Sequence, residues 1–180
     1  MRRVFLYLYP IEEYTRIFLC PNIYYESNHL EHPFDVLNRT IDKRYRQKGY
    51  EIVYAMYPDK KVHGIHLEKT DKLIYTDITF TEASGYRPDG SEKKEEEIVY
   101  PSEEHLLYQI GLVDELIIGG YHYSDCVKKV ALTAYNSGIN TLVDLDLTDL
   151  FFSLHNKPNY FNIEEYNLER YKEYRRSQCY

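Results

Sequence analysis

At 180 residues, 43% of them hydrophobic, the chain is long enough for one domain with a sizeable core and needs no disulfides to hold it. Its net charge of -7, with Lys and Arg scattered rather than clustered, argues against binding nucleic acid, whose phosphates are met by basic patches. The three cysteines (Cys20, Cys126 and Cys179) are odd in number and far apart, so they suggest neither a secreted disulfide framework nor a metal knuckle, and a reducing cytoplasm is the simplest setting.

The first residues, Met1 to Tyr9, imitate a secretory leader. Pro10, Glu12 and Glu13 cut the apolar run well below the length of a signal or membrane segment, so the stretch reads as a buried strand and no membrane partner is expected. Residues 3–9 and 14–21 are both rich in β-branched and aromatic residues, and either could be the first core strand. Phe34, Val36, Leu37, Ile41 and Tyr45 then recur at helical spacing up to Gly49, and residues 50–57 form a strand closed by Pro58-Asp59. Strand, helix, glycine, strand is the signature of a parallel βαβ unit.

Residues 64–80 hold two strand-like pieces, around 64–68 and 72–80, with Lys69 to Asp71 as a turn. Residues 83–97 carry almost no apolar side chains and read as a mobile charged loop. Order returns with Ser102 as an N-cap ahead of Glu103 and Glu104, and Leu106, Leu107 and Ile110 give a short apolar face before Gly111.

The stretch from Asp114 to Asp146 is the most informative. An apolar strand ends in Gly119-Gly120; Ser124 is placed as an N-cap, and Val127, Val130, Ala131 and Ala134 mark the buried face of a helix stopped by Gly138. A further strand, Thr141 to Asp146, follows. Cys126 falls at the start of that helix, where unpaired backbone N–H groups favour a thiolate, while Asp125 beside it opposes ionisation. The tail, about 160–180, reads as a surface or subunit-interface helix, which makes a homo-oligomer the expected state.

Histidines offer no ligand set. His63 and His66 point to opposite faces if their stretch is a strand, and His105 is isolated, so no metal site is expected. Gly119-Gly120 lacks a phosphate-cradling pattern, and no cofactor is expected. Asp144 and Asp146 close a parallel strand and could face a pocket, although a structural cap is the commoner role of Asp146. The 21 tyrosines, with no tryptophan, are explained more simply by genomic base composition than by a tyrosine-rich binding face.

The spacing of Gly120, Cys126-Val127, Ala131, Ala134, Gly138 and Asp146 resembles the isochorismatase-like cysteine hydrolases, a family that includes nicotinamidases and other small-molecule amidases; Tyr123 stands where the family usually has Thr. The resemblance covers about half the chain and implies one domain over 1–180 with a three-layer α/β/α, Rossmann-like fold and a mostly parallel sheet. It also implies a small-molecule substrate. Cys126 would be the nucleophile, with backbone N–H groups as oxyanion hole; His122 and Tyr123 would line the substrate pocket, His122 in the turn where the family often places a non-proline cis peptide. The family's other two catalytic residues do not match. Its first-strand aspartate is absent from both Leu8-Tyr9-Pro10 and Leu19-Cys20-Pro21, with Glu12 and Glu13 out of register, and the position of its lysine falls on Lys93, inside a charge run. Two activities therefore stay open: a cysteine hydrolase of small amides, or a non-catalytic member that binds a small molecule or a protein partner.

Overall fold

The structure is a computed structural model that describes residues 1–18, 33–148 and 160–162. Strand β1 (Arg3–Leu8) lies at the centre, and helix α1 (Glu12–Phe18) follows it. Helix α2 (Pro33–Arg44) leads through a tight turn, stopped by Gly49 at φ 78°, into β2 (Glu51–Met56). Then come the short strand β3 (Lys72–Tyr75), the single turn α3 (Phe80–Ala83), helix α4 (Glu103–Ile110), strand β4 (Glu115–Gly120), helix α5 (Lys128–Asn136), β5 (Asn140–Thr148) and β6 (Tyr160–Asn162).

The sheet order is β3-β2-β1-β4-β5-β6. The first five strands are parallel and β6 runs antiparallel beside β5. Alternation along the strands sorts the core into two layers. Val4, Leu6 and Leu8 share one cluster with Leu106 and Ile110 of α4 and Val130, Ala131 and Ala134 of α5, whereas Phe5 and Tyr7 share the other with Leu37 and Ile41 of α2 and Tyr45. The three-layer α/β/α expectation is met. Among the described residues no helix is long and apolar enough to cross a membrane.

Several local expectations change. Residues 3–9 supply the first core strand, and the 14–21 candidate is instead largely covered by α1. Glu12 and Glu13 in its first turn and Arg16 in its last complement the helix dipole, Glu12 pairs with Arg16 at 2.5 Å, and the buried Thr15 returns its hydroxyl to the Ile11 carbonyl. The β-branched composition that suggested a strand is outweighed by these contacts. Residues 64–68 join no sheet, because α2 satisfies their backbone: Asn38 donates to the Gly64 carbonyl at 2.8 Å and accepts from the His66 N–H at 2.8 Å.

The following strand stops at Tyr75, where Thr79 and Glu82 form a reciprocal capping box that starts α3. Residues 83–97 are folded onto themselves by a Tyr86–Glu92 bridge and an Arg87–Glu97 ion pair at 2.7 Å. Ser102 caps α4 as its sequence indicates, accepting from the His105 N–H at 3.1 Å. Gly138, at φ 83°, follows the end of α5. The first residues of the expected helical tail, 160–162, are strand β6 instead, held antiparallel against β5; the tail from residue 163 onward, together with Cys20 and Cys179, lies outside the described residues.

Strand β3 is an edge, and its open backbone is closed by a side chain. Gln109 of α4 donates to the Tyr75 carbonyl at 2.6 Å and accepts from the Tyr75 N–H at 3.2 Å, as a neighbouring peptide group would. Gln109→Ala is expected to cost about 1 kcal/mol and to speed hydrogen exchange at the Tyr75 amide; unchanged exchange there would show that the side chain does not close the edge. A second prediction concerns Gly120, at φ 103°, whose added Cβ would overlap the Leu8 backbone. Gly120→Ala should lower stability in chemical denaturation by about 3 kcal/mol or more.

Candidate active site around Cys126

The site is built at the C-terminal ends of the central strands, where ligands generally bind in open α/β sheets. Two glycines let β4 reach it. A Cβ on Gly119 would lie 2.8 Å from the Leu147 carbonyl oxygen, and one on Gly120 would collide with Leu8, so the strand end fits between β1 and β5 only without side chains. Beyond it the Tyr121–His122 peptide is cis, at the position the family resemblance implied. Residues Tyr123–Val127 then form one π-type turn, with the Val127 N–H bonded to the His122 carbonyl at 3.0 Å, and run into α5.

The cap is therefore not where the sequence placed it. His122, not Ser124, occupies the N-cap position, no side chain caps the turn, and Ser124 sits exposed inside it. The π-turn adds a residue to the start of the helix, which one-dimensional spacing does not reveal.

Cys126 is half-buried, and its thiol behaves contrary to the sequence expectation. Burial pushes it up, and the neighbouring carboxylate of Asp125 pushes it further, to about 12; Lys129 offsets only part of this. The sulfur lies 4.0 Å from Asp125 Oδ2, while Asp125 Oδ1 pairs with Lys129 Nζ at 2.7 Å. Lys129 Nζ in turn sits 3.3 Å from the centre of the Tyr100 ring.

The rest of the site is aromatic. Tyr9 follows β1, Tyr57 follows β2 and Tyr121 follows β4, and all three are buried. Tyr9 is the one non-glycine residue with positive φ, 57°, among the described residues, and its ring stacks on Tyr57 at 4.6 Å. Tyr14 of α1 bridges outward, edge-on to His122 at 4.7 Å and to Phe80 at 5.8 Å, while Tyr57 meets Phe80 at 5.5 Å. Burial is the first cause that raises these phenols, Tyr14 to about 12 and Tyr9 and Tyr57 further, and the Cys126 thiol adds to each. Thiol and phenols therefore share one protonated environment.

The remaining sequence candidates fall as follows. His122 is half-buried against Tyr14 and Tyr121, whereas Tyr123 is wholly buried in the core and offers a ligand no exposed surface. Glu12 and Glu13 are engaged by Arg16 and Lys60. Lys93 donates to the Thr81 and Glu82 carbonyls at 2.6 and 2.8 Å, a C-terminal cap for α3. His63 Nδ1 lies 2.6 Å from the Thr15 hydroxyl, and among the described residues no group of three His, Cys, Asp or Glu side chains could hold a metal ion.

Asp144, a candidate to face a pocket, is a structural anchor instead, and Asp146 has the structural role that was the commoner expectation for it, anchoring α2 rather than capping a loop. Both are buried against α2, where Arg44 contacts them at 3.1 and 2.8 Å and Tyr45 donates to Asp144. Burial raises Asp144 to about 6, with Arg44 holding it down.

Tyr9, Tyr14, Tyr57 and Phe80 were not singled out from the sequence. A signal was present: both β1 and β2 are followed by Tyr-Pro, at Tyr9-Pro10 and Tyr57-Pro58, which sets a large aromatic at the end of each strand and then stops it.

No family profile matches the chain, and no curated protein does. Solved structures do. A Leishmania major protein described as a MAR1 ribonuclease superimposes with a TM-score of 0.51 at 13% identity, over 83% of this chain and 66% of its own length, so the chain spans just under two thirds of it. A protein of Oleispira antarctica described as an isochorismatase hydrolase superimposes with a TM-score of 0.50 at 12% identity, over 91% of this chain and 83% of that one. At identities this low the likeness is one of architecture: the chain has the mostly parallel, three-layer α/β fold of the isochorismatase hydrolases.

Proposed function

We propose that the chain is a divergent relative of the isochorismatase-like cysteine hydrolases whose cleft beside Cys126 binds a small molecule without hydrolysing it. One observation carries the reading: the end of β1, where the family resemblance calls for an aspartate, bears the buried Tyr9, stacked on Tyr57. A carboxylate there would accept the thiol proton. A phenol raised by burial is a hydrogen-bond donor with no capacity as a base near neutral pH. The thiol, pushed up to about 12, is the form such a site stabilises, and a neutral thiol is a poor nucleophile.

A second reading, a cysteine hydrolase of small amides, is favoured by Asp125 and Lys129. They set a carboxylate 4.0 Å from the sulfur and an ammonium on that carboxylate's other oxygen, within one turn of the same helix. An acid–base group and a cation, which the family draws from other strands, would then come from the helix that carries the nucleophile.

Alkylation of Cys126 followed against pH, together with a panel of small amides, separates the two. The silent cleft predicts an apparent thiol pKa well above the roughly 8.5 of a free cysteine and no turnover. Turnover that disappears in Cys126→Ala with the fold intact would establish the hydrolase instead. Asp125→Asn sharpens the contrast: it removes a negative charge and frees Lys129, both of which favour the thiolate, so alkylation at fixed pH should become several-fold faster. In a hydrolase that used Asp125 as its base, the same change would abolish turnover.

A further inference from the structure

We draw no further inference here: the strongest candidate, the open edge of the sheet at β3 with Leu73 and Tyr75 exposed on it, carries none, because Gln109 already closes its backbone at Tyr75 and nothing in the structure shows what covers the rest.

Discussion

The approach of three strand ends at Gly119 and Gly120 is the constraint on which the rest depends. β4 is inserted between β1 and β5 so closely that a methyl group on either glycine would meet backbone, Leu147 on one side and Leu8 on the other. The parallel pairing shifts register at this point, from Ile118 opposite Val143 to Gly120 opposite Thr148. The irregularity frees the chain to leave the sheet through Tyr121 and His122 and to enter α5 by way of the π-turn. Cys126 owes its place at the strand ends to that exit. Irregular pairing next to a site is a recurrent device for re-aiming side chains.

The same irregularity carries a charged anchor on the other face. Where β5 passes the bulge it turns Asp144 and Asp146 toward α2, and Arg44 and Tyr45 at the end of that helix meet them. Two carboxylates and a guanidinium in a nearly dry interior do not stabilise through attraction alone, since desolvation consumes most of the gain. What they contribute is direction. Only one placement of α2 over β5 pairs all of these groups, and any other leaves a buried charge uncompensated at a cost of about 3 kcal/mol or more. Burial holds Asp144 near 6, so its proton is retained more readily in the fold than in the unfolded chain. Its contribution is complete below the usual carboxylate range and fades as pH rises through about 6.

Most of the frame was legible in the sequence because it is written in local signals. The helical spacing of Val36, Leu37, Ile41 and Tyr45, the Ser102 cap, the paired glycines and the small residues of α5 each specify an element through its own period or terminus. Where the structure departs from expectation, long-range contacts decide. Residues 14–18 become helix through charges that complement their ends, and residues 64–68 lose their place in the sheet to Asn38, 26 residues away from Gly64. The chemistry of Cys126 was the least legible. A helix start favours a thiolate and Asp125 opposes it, both legible in the sequence; burial beside Tyr9, Tyr14 and Tyr57 decides the balance, and those rings come from the ends of other strands and from α1.

Phenols at the ends of β1 and β2 fill the space there with apolar surface and keep hydroxyls for hydrogen bonding, but they transfer no proton near neutrality. With Tyr14 near 12, Tyr9 and Tyr57 higher, and the thiol itself at about 12, none of these groups gives up a proton near neutrality to create the charge that the others would have to share. Each would also raise its neighbours further if it ionised, because like charges in a buried cluster oppose one another. The cluster therefore favours its neutral state strongly.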